Sequence, residues 1–237
     1  MPPDHGEDDH GPADPGPDAA DAARAGAATA GAARRAVVLA GYRGDVTAAR
    51  SASGHAGPEV RAAALGALDR LGELTAGDLR TALGDPAARV RRRAARLCAG
   101  RAGMTAPLVE LLDDDEPTVA EEAAFALGES VPDEPGPGTR RAEAVRALSA
   151  MARDHADALC RESAVAALGS LGDPAGLDAV LAACGGRATV RRRAVLALAA
   201  FEGPRVTEAL QALTGDRDLQ VRQAAEDLLA IEQGHAT

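Results

Sequence analysis

An alanine recurs at the fifth place of a unit repeated along the chain, and this constrains the fold more than any other feature. Taking the unit starts as Ala32, Val60, Val90, Val119, Cys160, Val190 and Val221, the intervals are 28, 30, 29, 41, 30 and 31 residues. The fifth residue is Ala36, Ala64, Ala94, Ala123, Ala164, Ala194 and Ala225. The ninth is Ala40, Leu68, Cys98, Leu127, Leu168, Leu198 and Leu229, and the eighth is always Ala or Leu. Apolar places at i, i+4, i+7 and i+8 form one face of an α-helix. A small residue in the middle of that face suits close contact between neighbouring helices.

A second, less regular helix is expected between these. Thr75-A-G-D-L-R-T-A-L-Gly84, Thr105-A-P-L-V-E-L-L and Asp173-P-A-G-L-D-A-V-L carry the pattern. Thr75, Thr105 and Asp173 are good N-cap residues, and Pro174 suits a first helical position. Turn signals such as Gly84-Asp85-Pro86 and Asp115-Glu116-Pro117 separate the helices. Each unit then reads as a helical hairpin. One hairpin cannot bury its own apolar face, whereas stacked hairpins can.

Composition agrees. Hydrophobic residues are 46% of the chain, yet aromatic residues are 1%: Tyr42, Phe125 and Phe201, with no Trp. A core of Ala, Leu and Val favours helices over strands. Every cationic side chain is Arg, and the formal net charge is −10. That balance argues against a general nucleic-acid or anionic-membrane binder. No apolar run approaches the roughly 18 residues of a spanning helix. Cys98, Cys160 and Cys184 form no C-x-x-C pair and read as reduced, buried thiols. With an acidic start lacking a signal-like apolar run, a cytoplasmic location is expected.

Three irregular segments are expected outside the array. Residues 1–31, rich in Pro, Gly, Asp and Ala, read as a disordered acidic tail. The solenoid is expected over 32–233, with a short tail at 234–237. The long interval holds Val131-P-D-E-P-G-P-G-T-R-Arg141, which reads as a loop insertion at 131–141 between two helices of one hairpin. The second helix of the first unit, Val46–Ser53, is weakly patterned. In the last unit Glu226 and Glu232 replace apolar residues, as an array end facing water requires.

The units C-R-E-S-A-V-A-A-L-G-S-L-G-D, V-A-E-E-A-A-F-A-L-G-E, V-R-A-A-A-L-G-A-L and V-R-R-R-A-V-L-A-L resemble the HEAT-like repeats of the phycobilisome lyases. The resemblance spans about Ala32 to Gln233. It implies a right-handed α-solenoid of about six to seven hairpins, with one helix of each pair lining a concave face. Members of this family mostly act as scaffolds and adaptors. Some are enzymes or enzyme subunits: bilin lyases, deoxyhypusine hydroxylase and certain alkylpurine DNA glycosylases.

The enzymatic members can be tested against the residues. The hydroxylase holds two irons through His-Glu pairs, and this chain has no His-Glu dipeptide. His5, His10 and His235 lie near the ends. His55 and His155 sit five residues before unit starts, where Asp85, Asp114 and Asp216 stand in other units. A base-extruding enzyme needs aromatic or cationic surface. Without the first 31 residues the chain keeps 29 acids and 25 arginines, and it is poor in rings. No phosphate loop, nucleophile elbow or paired carboxylate motif is present. No cofactor and no metal site are expected.

The second place of the unit is Arg in five copies: Arg61, Arg91, Arg161, Arg191 and Arg222. With Asp85 and other acids in the turns, these read as a structural ladder tying successive turns together. The next two places run Ala62-Ala63, Arg92-Arg93, Glu121-Glu122, Glu162-Ser163, Arg192-Arg193 and Gln223-Ala224. Blocks of alternating sign do not make a nucleic-acid track. They suit pairing between units, or a concave surface complementary to a partner of mixed charge. The candidate partner-binding residues are therefore Arg92, Arg93, Glu121, Glu122, Glu162, Arg192 and Arg193. The expected function is a non-catalytic, monomeric scaffold or adaptor for a protein partner. The alternative is a subunit or chaperone-like component of an enzyme resembling the bilin lyases.

Overall fold

A computed structural model describes residues 17–130 and 138–235. The chain is an all-α solenoid. Six helical hairpins pair α1 (Pro17–Arg43) with α2 (Val46–Ala52), α3 (Pro58–Arg70) with α4 (Ala76–Leu83), and α5 (Ala88–Cys98) with α6 (Thr105–Glu110). They continue as α7 (Pro117–Ser130) with α8 (Arg140–Asp154), α9 (Ala158–Leu171) with α10 (Leu177–Ala183), and α11 (Ala188–Ala197) with α12 (Pro204–Leu213). A final helix, α13 (Leu219–His235), closes the stack. Short 3-10 turns extend α6 and α11 and introduce α10.

The odd-numbered helices form one layer, each packed on the next, and the even-numbered helices form the other. The repeated stripe is the seam between the layers. Ala64, Ala94, Ala123, Ala164, Ala194 and Ala225 have no accessible surface. Val60, Val90, Val119, Cys160, Val190 and Val221 are buried beside them. The sixth place is also buried in Leu65, Ala95, Ala124, Val165 and Val195, but Glu226 there is exposed. α13 has no even-numbered partner helix among the described residues, and the carboxylate at that place lies in water.

The odd helices approach one another closely because the tenth place is often glycine. A Cβ on Gly128 would lie 2.9 Å from Ala167 Cα, and one on Gly169 would lie 2.9 Å from Ala197 Cβ. Both meet the eighth-place alanine of the next odd helix. Gly172, with φ +59°, ends α9 in the left-handed conformation that glycine adopts at low cost.

Several expected boundaries are corrected. α1 begins at Pro17, so the first helix starts upstream of residue 32. The alanine run of that segment, with proline at the first helical position, favours helix more than its polarity opposes it. Residues 1–16 lie outside the described residues. Among the described side chains and glycines of α1 the buried residues are Val37, Ala40 and Gly41, whereas Ala32 and Ala36 are exposed, so the unit register there is offset from that assigned by sequence. The start at Ala32 followed alanines, which an alanine-rich helix carries on every face. Thr105 is not an N-cap: Met104 precedes the helix and Thr105 is its buried first residue. Thr75 and Asp173 do cap, and Thr75 forms a reciprocal capping box with Asp78. Of the 131–141 insertion, residues 131–137 lie outside the described residues, and Thr139 caps α8, which starts at Arg140. α13 reaches His235, so the end of the array runs beyond residue 233, and residues 236–237 are not described.

Candidate interaction surface

The second-place arginines all sit at the ends of odd helices, beside the turns. Arg61 reaches back to the carbonyls of His55 and Ala56, both at 2.9 Å, and forward to Asp85, with Nε to Oδ2 at 2.8 Å and Nη2 to Oδ1 at 2.7 Å. Arg91 repeats this with the carbonyls of Asp85 and Pro86 and the carboxylate of Asp114. Arg191, 5% exposed, joins the Gly186 carbonyl to Asp216. Each guanidinium thus bridges two successive turns through a two-pronged carboxylate contact. Among the described residues Arg161 and Arg222 bond only backward, to the carbonyls of His155, Ala156 and Asp216. For Arg161 the reason is local: Gly185 stands where the next turn would supply an aspartate.

The turn aspartates do a second job. Asp85, Asp114 and Asp216 accept the backbone N–H two residues on, at 2.9, 3.0 and 2.8 Å. His55 and His155 accept the equivalent N–H groups, of Gly57 and Asp157, through Nδ1 at 2.9 and 3.1 Å. Before His155, the unit that would supply the arginine has Ala120 instead. An imidazole keeps the turn bond there without leaving a carboxylate lacking its cation.

The third, fourth and seventh places of the odd helices line the opposite surface, away from the even-numbered helices. Around α3, α5 and α7 they enclose an open groove of about 650 Å³. Its cations include Arg34, Arg89, Arg92, Arg93 and Arg96. Around α7 and α9 a second groove, of about 410 Å³, is lined by Glu121, Phe125, Glu129, Leu159, Glu162 and Arg193. A third depression continues it to Leu196. Phe125, Leu159 and Leu196 are 48%, 57% and 56% exposed, a substantial apolar presence for residues of that size.

The seven predicted residues fall on this surface but differ in their partners. Arg92 faces Glu122, Nε to Oε2 at 3.5 Å, and the same carboxylate lies 3.8 Å from Arg96. Arg192 bonds Asp218, Nη2 to Oδ2 at 2.5 Å, and not a neighbouring glutamate. Arg93 and Arg193 make no ion pair among the described residues, and neither do Glu121 and Glu162. Arg93 lies over the bare backbone of Gly66, where a Cβ would meet its Nη2 at 2.6 Å. Pairing between units therefore engages Arg92 with Glu122, and Arg192 with a turn aspartate, but leaves the other four of the seven without an ion pair among the described residues.

Sequence reasoning missed the seventh place. It runs Gly66, Arg96, Phe125, Ala166, Leu196. A large ring or aliphatic at a place that is elsewhere small or charged was the available signal. Among the described residues no group of three or more His, Cys, Asp and Glu side chains could hold a metal ion. No described helix is long and apolar enough to cross a membrane.

Comparisons with known proteins agree with this geometry. Residues 105–188 match the family described as HEAT repeats, and residues 190–216 match the PBS lyase HEAT-like repeat. No curated protein matches the sequence. An engineered protein of known structure is similar over 78% of this chain and 97% of its own, at 22% identity and a TM-score of 0.60. A designed armadillo repeat protein, solved in complex with a (KR)4 peptide, is similar over 78% of this chain and 92% of its own, at 20% identity and a TM-score of 0.54. These likenesses establish the fold. From Thr105 to Asp216 the matched HEAT-type repeat families meet the repeated hairpins seen here, and the chain folds as an all-α solenoid.

Proposed function

We propose that this chain is a non-catalytic scaffold or adaptor that binds a protein partner along its concave face. The observation that carries the reading is a continuous, open row of unpaired charge and exposed apolar side chains crossing successive odd helices. Arg93, Glu121, Glu162 and Arg193 have spare hydrogen-bonding capacity, and Phe125 and Leu196 offer apolar anchors. Arg92, Glu122 and Arg192 are already engaged and set the positions of their neighbours. An open repeated surface suits a polypeptide better than it suits a small substrate, which needs an enclosing pocket. The similar designed armadillo protein, in complex with a (KR)4 peptide, supports a peptide-binding use of such a surface. The protein is proposed to act as a cytoplasmic monomer, with the 131–141 segment as a specificity element.

The test is affinity capture from the native host with the full chain as bait. Arg93→Glu and Phe125→Ser should each lose a defined partner that Arg205→Ala, on α12, retains. Equal capture by all three baits would sink the assignment to this face. Co-purification of a tetrapyrrole would favour an enzyme-subunit role instead.

A further inference from the structure

The concave face changes character along its length, and the change defines a partner. The groove around α3 and α5 is basic: six arginines line it against the three carboxylates Glu59, Glu116 and Glu122, and Arg34, Arg89 and Arg93 have no carboxylate partner among the described residues. Two helices further on, the groove around α7 and α9 is acidic and apolar. There Glu121, Glu129 and Glu162 surround Phe125 and Leu159. Both grooves lie on one continuous surface.

We propose that the basic groove takes a carboxylate-rich segment of a partner protein, with a large apolar side chain of the same segment seated against Phe125, Leu159 and Leu196. This rests on reading the concave face as a protein-interaction surface. Charge complementarity selects the acidic cluster. Three arginines without ion-pair partners among the described residues are solvated cations that lose little when they exchange water for carboxylates, and bare Gly66 lets the Arg93 guanidinium lie close against α3. A nucleic acid fits less well. The basic groove has no aromatic residue for base stacking, and a phosphate backbone continuing along the face would meet Glu121, Glu129 and Glu162.

The spacing follows from the stack. The centres of the two grooves are two helix-to-helix steps apart, roughly 18–20 Å at ordinary packing distances. An extended chain rises about 3.3 Å per residue, so that gap holds about six residues. The ligand is therefore an acidic cluster separated by about six residues from a Leu or Phe.

Fluorescence anisotropy with the full chain tests this. The probe carries four glutamates, a six-residue Gly/Ser spacer and two leucines. Two further probes lack either the glutamates or the leucines, and a fourth is a single-stranded oligonucleotide of similar length. The complete probe should bind about tenfold tighter than either half. Arg93→Glu and Arg89→Glu should each weaken it about tenfold, and moderate salt should weaken it further. Phe125→Ser should reduce it to the level of the glutamate-only probe, while Arg205→Ala leaves it unchanged. Helical circular dichroism of each variant confirms folding, and Arg89, exposed at the start of α5, guards against loss of fold at Arg93.

Tighter binding of the oligonucleotide, equal binding of the leucine-only probe, or self-association that occludes the groove would overturn the proposal. If no probe binds but Arg93→Glu and Phe125→Ser still abolish partner capture, the acidic-segment inference fails and the scaffold reading stands. If capture is indifferent to both, the two fail together.

Discussion

Arg91 and Asp114 meet through two parallel bonds, Nε to Oδ2 and Nη2 to Oδ1, both 2.7 Å long, across the boundary between two hairpins. Asp114 is almost fully enclosed, with 5% of its side chain exposed, against 14% for Arg91. The same carboxylate accepts the Glu116 N–H, so one group fixes the turn and ties the units. Asp114→Ala should cost about 2 kcal/mol in urea unfolding, because it leaves the enclosed Arg91 only the water-exposed carboxylate of Asp115, 2.9 Å away, and frees a turn N–H. Arg205→Ala removes a 2.8 Å pair to Asp178 that is open to water on both sides, and should cost no more than about 0.5 kcal/mol. Equal losses would mean that the ladder is surface decoration.

The same carboxylates make stability depend on pH. The Arg61 hydrogen bonds hold Asp85 below its ordinary value, and the Arg191 bonds do the same for Asp216. Burial pushes Asp114 and Asp78 up, but the bonds from Arg91 and Glu116, and from Arg50 and Thr75, outweigh it and bring both down. A carboxylate with a depressed folded value binds protons more weakly folded than unfolded. Its contribution is complete above the unfolded value, about 3.9 for Asp, and is lost as pH falls through the folded one. Melting temperature should stay level from neutral pH to about 5 and drop below about 4. Asp216→Asn should start lower and fall less steeply. A parallel fall in that variant would exclude Asp216 as a source of the effect.

Close approach of the odd helices makes glycine substitution position-dependent. At Gly128 the added methyl would meet Ala167 Cα at 2.9 Å, a backbone atom that cannot rotate away. The strain, about 1–3 kcal/mol, exceeds the roughly 1 kcal/mol that alanine gains in a helix. Gly128→Ala should therefore destabilise, whereas Gly26→Ala, on α1 with nothing within 4 Å, should stabilise by about 0.5–1 kcal/mol. Opposite signs in thermal or urea unfolding are the expected result. Stabilisation at both positions would show that the seam tolerates a wider separation.

The seam was legible in the sequence because it is written six times with little variation. Ala64 through Ala225 occupy one environment, so any single copy predicts the rest. The first unit was misaligned because α1 is rich in alanine: Ala36 and Val37 are adjacent, and only packing on α3 decides that Val37 is the buried one. The concave surface was half legible. Arg92-Arg93 and Arg192-Arg193 stood out as doublets, but their division was not visible. Arg92 leans toward Glu122, whereas Arg93 lies back across Gly66, a distinction set by the angle between helices and not by the order of residues. The apolar patch was missed because Phe125 and Leu196 stand at a place that is small or charged in other copies, and Leu159 precedes its unit. Their exposure depends on a face that curves away from any neighbouring layer.

Burial also decides the chemistry of the three thiols. Cys98 and Cys160 are fully enclosed at the seam, and Cys184 is partly so at the end of α10. Enclosure pushes each thiol up to about 11, with nearby Asp157 and Glu121 adding to the effect at Cys160. The thiolate is the reactive form, so at pH 8 almost none is present. Cys160 also donates its S–H to the Pro117 carbonyl at 3.2 Å, as expected of a packed thiol and not of a nucleophile. Native protein should therefore resist iodoacetamide at pH 8, with three alkylations appearing by mass spectrometry only in denaturant. Cys184, the least enclosed, should be the first to react under partial destabilisation. Rapid labelling of Cys160 in the folded protein would contradict its placement at the seam and reopen a covalent role for the stretch around it.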